Sequence, residues 1–347
     1  MPLDPDALTL LEMMRAAGRP PMETLTPDEA RKGFAAGRAV TQPDPQDVAE
    51  VRDLSCPGPL GPIALRAYRP IGTKPDEVLP ALVYFHGGGW LLGDLESHDV
   101  ACRHYANAAK CRVVSVDYRM APEHKFPAAV DDCAEATRWV TAQALALGID
   151  RNRVAVGGDS AGGNLAAVMA LMARDGDLPP LAFQLLVYPV TDLGMTHESY
   201  GRITEGVPLT ARTMDWFIDH YLHGPRDRAN WRASPLRAAD LSGTAPALVL
   251  TASYDPLCDE GVAYAERLER EGVRVIHLHF SDQLHGFVGQ GQRHRFRRRQ
   301  LADPGVLDGL DHRTRRRGVR PFIDLRQRRR GLRLRSRHRG GFRRRGG

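Results

Sequence analysis

Short apolar runs of five to eight residues recur through the middle of the chain, and stretches of helical pattern separate most of them. The apolar runs are residues 81–85, 112–117, 153–158, 183–189, 246–252 and 274–280. The helical stretches are residues 97–110, 126–147, 161–174 and 259–271. A strand that is apolar on both faces must be covered on both faces. The alternation of such strands with helices therefore predicts a largely parallel sheet between two helical layers.

The chain before these runs has a different pattern. Residues 7–17 and 27–37 are amphipathic and are separated by prolines, which predicts two short helices, and a Pro-rich linker follows them. Residues 49–54 and 63–70 then have strand-like composition, and the turn-forming sequence CPGPLGP lies between them. Two strands so close in sequence favour a hairpin, so we expect the sheet to begin with antiparallel strands.

Residues 192–240 interrupt the alternation of strands and helices. They contain Trp216, Phe217 and Trp231 and a helix-like sequence, ARTMDWFIDHYL, between two predicted strands. We therefore expect an insertion into the sheet domain at this point.

A glycine-flanked serine provides the first candidate for chemistry. Gly158, Asp159, Ser160, Ala161 and Gly162 follow a predicted strand and precede a strong helix former. Such a strand–turn–helix is so sharp that its flanking residues must be small, and it places the serine at a helix N-terminus, which favours developing negative charge. The alternatives are a phosphate-binding loop or a plain tight turn, and the absence of the P-loop lysine argues against the former.

A serine hydroxyl needs a general base, and the base needs an acid that orients it. His285 follows the predicted strand 274–280 within a few residues, and Asp255 follows the strand 246–252. Where a nucleophilic serine lies in a strand–turn–helix of this kind, the chain order is serine, then the acid, then histidine, each on a loop after a strand. Ser160, Asp255 and His285 follow that order. These three residues are therefore the candidate catalytic triad.

Other carboxylates near Asp255 are rivals for the role of the acid. They are Asp259, Glu260 and Asp282. Asp255 is preferred because it lies just beyond the end of a strand. Asp259 and Glu260 are instead placed to begin the next helix, where carboxylates cap free N–H groups.

The sequence HGGGW at residues 86–90 supplies a third component. Three glycines directly after a strand leave backbone N–H groups free to bind an oxyanion, and each such donor is typically worth about 10²–10³ in rate. A flexible glycine turn is the alternative interpretation, and the serine motif downstream argues against it. We expect His86 to brace this loop without taking part in the chemistry.

Five motifs occur together in an order and spacing that identify a family. They are HGGGW, VDYRMAPEHKFPAA, VGGDSAGGNLAAV, YDPLCDEG and HGF. The chain in this respect resembles the bacterial hormone-sensitive-lipase-like carboxylesterases of the α/β-hydrolase superfamily. The resemblance covers residues 1–290 and extends to the sequence MPLDP at the start.

The resemblance implies an α/β-hydrolase fold and a serine carboxylesterase that forms an acyl-enzyme and hydrolyses short- to medium-chain acyl esters without a cofactor or metal. It implies Ser160 as nucleophile, His285 as general base and Asp255 as the orienting acid. The oxyanion donors that it implies are the backbone N–H groups of Gly88, Gly89 and Ala161.

The resemblance also implies a division of the chain. Residues 1–45 would form N-terminal cap helices, and residues 46–290 would form the catalytic domain, with the cap insertion near residues 192–240 covering an acyl pocket. Within the motif VDYRMAPE the charged residues are expected to brace loops through ion pairs, and these residues are Asp117, Arg119 and Glu123.

The C-terminal segment departs from the family. Residues 291–347 contain 21 Arg and 4 Asp with no Lys or Glu, a net charge of +17, whereas the whole chain carries +6, so residues 1–290 carry −11. We expect this Arg-rich tail to be irregular or disordered, because like charges repel and few apolar groups can be buried. A frame shift that turns alanine codons into arginine codons would explain it. A nucleic-acid or anionic-surface arm and an unusual natural extension are the alternatives, although aromatic residues are sparse there.

The remaining composition bears on compartment and on rival functions. Five scattered cysteines without a CxxC spacing argue against a disulfide framework or a zinc site, and the acidic start lacks a signal-peptide pattern. The cysteine pattern fits a reduced, cytoplasmic setting best. No apolar run approaches the length of a membrane span, so we expect the body of the protein to be soluble. The rival functions are a non-catalytic hydrolase-fold ligand-binding protein and nucleic-acid association through the tail. The complete serine, aspartate and histidine set favours the enzyme.

Overall fold

A single eight-stranded sheet forms the centre of the protein in a computed structural model that describes residues 2–289. The strands are β1 Glu50–Gly58, β2 Gly61–Arg69, β3 Leu79–Phe85, β4 Arg112–Asp117, β5 Ile149–Asp159, β6 Phe183–Val187, β7 Ala247–Tyr254 and β8 Val275–Leu284. Their order across the sheet is β1-β2-β4-β3-β5-β6-β7-β8. The reversal at β3 and β4 and the uninterrupted run from β5 to β8 belong to the α/β-hydrolase fold, which confirms the predicted class.

The first strands run antiparallel and all later neighbours run parallel. β1 and β2 form a hairpin whose register extends from Glu50 opposite Arg69 to Gly58 opposite Gly61, as the sequence predicts. β2 also lies antiparallel to β4, and every further pair is parallel. The carboxyl ends of β3 and β5 to β8 therefore meet at one edge of the sheet.

Eight α-helices accompany the strands within residues 2–289. They are α1 Pro5–Ala16, α2 Pro27–Thr41, α3 Leu95–Ala109, α4 Ala128–Ala142, α5 Ala161–Arg174, α6 Glu198–Arg202, α7 Ala211–Tyr221 and α8 Cys258–Arg270. Alternate residues of β3 face opposite layers. Val83 packs in the cluster that contains α4 and α5, whereas Tyr84 packs with Cys102 and Ala106 of α3. Helices therefore cover both faces, as the apolar runs predict.

The N-terminal helices and the insertion lie together near the strand ends. Leu10 and Leu11 of α1 pack against Leu284, the last residue of β8. The hydroxyl of Thr213, on α7 in the insertion, donates to Glu23 Oε2 at 3.0 Å. The two segments that were predicted to form a cap are thus in contact with each other.

The described residues belong to one compact unit. None of the helices in residues 2–289 has the length and apolar character that crossing a bilayer requires. The Arg-rich tail, residues 291–347, lies outside the described residues, so its predicted irregular structure stays a prediction.

Candidate active site

Ser160 occupies the turn between β5 and α5 in a strained conformation. Its backbone has φ +56° and ψ −118°, an uncommon combination for a residue with a side chain, and its side chain is largely buried. A Cβ atom on Gly158 would lie 2.3 Å from the carbonyl oxygen of Phe85, and one on Gly162 would lie 1.9 Å from the same atom. The two flanking glycines are therefore required because strand and helix pass too close for any side chain.

The structure brings the other two predicted triad residues to Ser160. His285 follows the last residue of β8 and Asp255 follows the last residue of β7, so both lie at the same edge of the sheet as the serine. The distance from His285 Nε2 to Ser160 Oγ is 2.9 Å, and that from His285 Nδ1 to Asp255 Oδ2 is 2.7 Å. Asp255 is fully buried, and its Oδ1 accepts a hydrogen bond from the backbone N–H of Leu257 at 2.9 Å.

The chemistry of the partner atoms indicates the direction of each hydrogen bond. An ionised carboxylate can only accept, so Nδ1 of His285 carries the proton that is donated to Asp255. In the neutral ring Nε2 then holds a lone pair and accepts from the hydroxyl of Ser160. The arrangement leaves Nε2 placed to take the serine proton.

Two of the three rival carboxylates, Asp259 and Glu260, are engaged elsewhere. Asp259 accepts from the backbone N–H of Ser199 at 2.8 Å and from Arg202 at 2.8 Å. Glu260 is fully buried and accepts from the backbone N–H of Thr191 at 2.6 Å and from the hydroxyl of Tyr200 at 2.8 Å. Burial raises the pKa of Glu260 to about 8. The prediction that these residues cap the next helix was wrong: both lie in the first turn of α8, but their carboxylates hold the segments that contain Thr191 and Ser199.

The glycine loop after β3 presents free backbone N–H groups beside this triad. Gly88 has φ +118° and Gly89 has φ +61°, and neither backbone N–H donates a hydrogen bond to any described residue. Ala161, as the first residue of α5, has no intrahelical acceptor for its N–H. The three predicted oxyanion donors therefore remain available for a ligand.

Two side chains, buried His86 and partly buried Asp159, hold the backbone of Gly87, the residue before Gly88. His86 Nδ1 donates to the carbonyl oxygen of Gly87 at 2.9 Å, and the N–H of Gly87 donates to Asp159 Oδ1 at 3.0 Å. Burial lowers the pKa of His86 to about 4, so the ring stays neutral and one nitrogen carries the proton. Because a trans peptide is planar, fixing the Gly87 carbonyl directs the N–H of Gly88 the opposite way. His86 thus braces the loop, as expected from the sequence.

Asp159 supports the glycine loop through Gly87, and no role was predicted for it from the sequence. Its carboxylate accepts from Tyr84 Oη at 2.5 Å and lies 3.4 Å from His98 Nε2. Burial alone would raise its pKa, but His98 and the hydroxyl of Tyr84 hold the pKa below the usual range. Its place directly before Ser160 was the available signal, and its partners on β3 and α3 become evident only in the fold.

The charged residues of VDYRMAPE behave differently from one another. Arg119 pairs with buried Asp132 through two hydrogen bonds of 2.7 and 2.8 Å, and Glu123 pairs with Arg31 of α2. These two act as the expected braces. Asp117 forms no ion pair within residues 2–289, and burial raises its pKa. The predicted bracing role of Asp117 was therefore wrong, because no cationic side chain in the described part of the chain forms an ion pair with its carboxylate.

No group of three or more metal-ligating side chains occurs in residues 2–289. The polar groups at the candidate active site are one hydroxyl, one imidazole, one carboxylate and free backbone N–H groups. This set is suited to acyl transfer through a serine.

Comparison with known proteins supports the same chemistry. Residues 82–289 match the sequence profile of a family described as having the alpha/beta hydrolase fold. The ethyl acetate hydrolase of Pseudomonas putida is 41% identical over 297 residues, which cover 84% of this chain and 93% of that protein. The arylesterase of Saccharolobus solfataricus is 37% identical over 291 residues, covering 83% and 93% of the two chains.

A solved structure gives the same result. An ester hydrolase from the metagenome of Lake Arreo, complexed with a bipyridine phosphonate derivative, superimposes with a TM-score of 0.80 at 43% identity. The match covers 83% of this chain and 92% of that one.

Proposed function

The chain belongs to the alpha/beta hydrolase family as one of its hormone-sensitive-lipase-like carboxylesterases, and from this premise we propose that Ser160, His285 and Asp255 perform its ester hydrolysis. The observation that carries the assignment is the continuous hydrogen-bonded series from Ser160 Oγ through the imidazole to Asp255, with distances of 2.9 and 2.7 Å. Its substrate is a small-molecule ester.

In the first half-reaction Ser160 Oγ attacks the carbonyl carbon of the ester while its proton passes to His285 Nε2. The carbonyl π electrons move to oxygen and form a tetrahedral oxyanion. The imidazolium then donates its proton to the alcohol oxygen, the bond from carbon to that oxygen breaks, and the alcohol leaves an acyl-enzyme. Asp255 stabilises the imidazolium and keeps the ring in the productive tautomer.

In the second half-reaction water replaces the alcohol. His285 Nε2 takes a proton from the water as its oxygen attacks the acyl carbon. Collapse of the second tetrahedral intermediate returns that proton to Ser160 Oγ and releases the carboxylic acid. Ester and water together supply every atom of the acid and alcohol products.

We assign the oxyanion to the N–H groups of Gly88, Gly89 and Ala161. Support comes from their freedom from other acceptors and from the bracing of the Gly87 peptide by His86 and Asp159. Preorganised donors of this kind stabilise the transition state without reorganisation during the reaction.

The N-terminal segment, residues 1–45, and the insertion, residues 192–240, would form a cap over the acyl pocket of the catalytic domain, residues 46–290. Contacts of Leu10 and Leu11 with Leu284, beside His285, support this division. Short- to medium-chain acyl groups are the proposed substrates. Five unpaired, buried cysteines within the described residues fit a reducing, cytoplasmic compartment.

The replacement Ser160→Ala tests the nucleophile. Alanine fits the same turn, so the variant should fold like the wild type, lose at least about 10⁴ in kcat on p-nitrophenyl esters and resist labelling by an organophosphonate. Ser242→Ala, on an exposed loop, is the matched control and should keep full activity. A folded Ser160→Ala variant that loses less than about a hundredfold would exclude Ser160 as the nucleophile.

A further inference from the structure

Helix α7 of the insertion lies against the oxyanion loop, residues 86–90. Two of its buried aromatic residues, Phe217 and Tyr221, are four positions apart and so project from the same face of the helix. They contact two consecutive residues of the loop, Gly89 and Trp90. A single helix therefore supports the loop through two adjacent contacts.

The first contact is a stack between aromatic rings. The ring of Tyr221 lies parallel to that of Trp90, with a centroid distance of 4.2 Å and an interplanar angle of 2°, and both side chains are fully buried. Trp90 has φ +59°, a conformation that bulky residues rarely adopt. Such a conformation persists only where the surrounding structure enforces it, and the stacked ring of Tyr221 is the partner that does so here.

The second contact lies directly on a proposed oxyanion donor. A Cβ atom on Gly89 would be 2.3 Å from Cγ and Cδ1 of Phe217, so the ring fills the space beside the glycine backbone. Phe217 is itself almost fully buried. Its ring prevents the Gly89 peptide from moving toward α7.

Helix α7 is also fixed to the body of the protein on the same side. The backbone N–H of Phe126 donates to the carbonyl oxygen of Tyr221 at 2.8 Å, and the N–H of Ala121 donates to the carbonyl oxygen of Trp90 at 2.9 Å. Both partners of the stack are therefore held by neighbouring parts of the segment 121–126.

We propose that Phe217 and Tyr221 are positioning residues for ester hydrolysis, and that the oxyanion loop adopts its reactive conformation only with α7 docked upon it. This inference rests on the proposed oxyanion donors. It makes the insertion a support of the catalytic machinery in addition to a cover over the substrate, and it places Tyr221, which lies behind Trp90, among the residues that set kcat.

The contact between Tyr221 and Trp90 involves no hydrogen bond from either side chain within the described residues. Tyr221 Oη and Trp90 Nε1 are buried without a hydrogen-bond partner in residues 2–289. The contact is therefore one of ring faces, and Tyr221→Phe preserves it. Tyr264 of α8 offers a matched control, because it is equally buried and its hydroxyl is likewise without a partner among the described residues.

The experiment compares Tyr221→Phe, Tyr221→Leu and Tyr264→Leu on p-nitrophenyl acetate, with melting temperature, kcat, KM and the rate of organophosphonate labelling as readouts. In Tyr221→Leu the oxyanion donors should be partly misaligned, which should lower kcat and the labelling rate by about 10- to 100-fold and leave KM within about threefold of the wild type. The loss is smaller than the factor of about 10²–10³ in kcat that follows complete removal of one donor. Tyr221→Phe should retain the wild-type kcat, KM and labelling rate, because it keeps the stacked ring. Tyr264→Leu should melt at a lower temperature with kcat within about twofold, because a distant core cavity does not displace the loop.

An equal fall of kcat in Tyr221→Leu and Tyr264→Leu, or no fall in either, would overturn the inference. Should Tyr221→Leu fail to fold, Phe217→Leu removes the other contact and is read in the same way on the acetyl ester. The proposed function is tested separately, because wild-type activity and its loss in Ser160→Ala are both measured with the contacts of α7 unchanged. A normal wild-type enzyme with an unaffected Tyr221→Leu variant would reject the positioning role alone.

Discussion

Arg31 joins the N-terminal helix α2 to Leu91, the residue directly after the oxyanion loop, and to the segment after β4. Its Nε donates to the carbonyl oxygen of Leu91 at 3.0 Å, and its Nη2 donates to that of Ala121 at 2.9 Å. Nη1 and Nη2 also bind the two carboxylate oxygens of Glu123 at 2.7 and 2.6 Å. We predict that Arg31→Ala destabilises the protein far more than Glu123→Gln does.

The magnitude follows from the exposure of each partner. The Glu123 side chain is 52% exposed, and an ion pair in such a position contributes at most about 1 kcal/mol. Leu91 and Ala121 are buried, so Arg31→Ala leaves two carbonyl groups without a donor, at about 1–3 kcal/mol each. Arg31→Ala should therefore cost about 2–6 kcal/mol in the free energy of unfolding, and Glu123→Gln about 0–1 kcal/mol.

Urea denaturation followed by tryptophan fluorescence, with kcat on a short ester, measures both effects. Arg31→Ala should lower the midpoint strongly and also lower kcat, because Leu91 is two residues beyond Gly89. Arg31→Lys should lie between the two variants, since one ammonium cannot reproduce the planar fork of donors. Equal losses for Arg31→Ala and Glu123→Gln would show that the ion pair, not the buried carbonyls, carries the stabilisation.

Three further predictions concern the triad, a buried acid and the tail. Asp255→Asn should lower kcat by about 10³–10⁴ with little change in melting temperature, because an amide that donates to His285 Nδ1 favours the wrong tautomer, and a loss below tenfold would contradict the role of Asp255. The pKa of Glu260 is raised from 4.5 to about 8, so its stabilising contribution is complete below about pH 4.5 and is lost as the pH rises through 8. Melting temperatures should therefore fall relative to Glu260→Gln between pH 5 and 9, and a constant difference would refute this. A chain that ends at Gln290 should keep the kcat/KM of the full chain if the Arg-rich tail is a frame-shift product. Lower activity of the shortened chain, or salt-dependent DNA retention of the full chain alone, would favour a functional tail.

Much of the fold and the triad could be predicted from the sequence because their signals are local. The apolar runs and the helical stretches between them reflect which faces of each strand are covered, and they predicted the parallel sheet and its antiparallel hairpin. The glycines around Ser160 record a steric requirement of a turn only a few residues long. Chain order at the ends of parallel strands then placed Asp255 and His285 at the same edge.

Other features were decided by the tertiary structure. Asp159 meets Tyr84 and Gly87 from another strand, and Glu260 binds the backbone of Thr191 although its position suggested a helix cap. Phe217 meets Gly89 across more than 100 positions of sequence. The periodicity of a helix shows which of its faces is apolar, but it carries no information on which loop that face will contact. That choice depends on how the insertion packs against the assembled sheet, so the support of the oxyanion loop by α7 emerges only when the chain is folded.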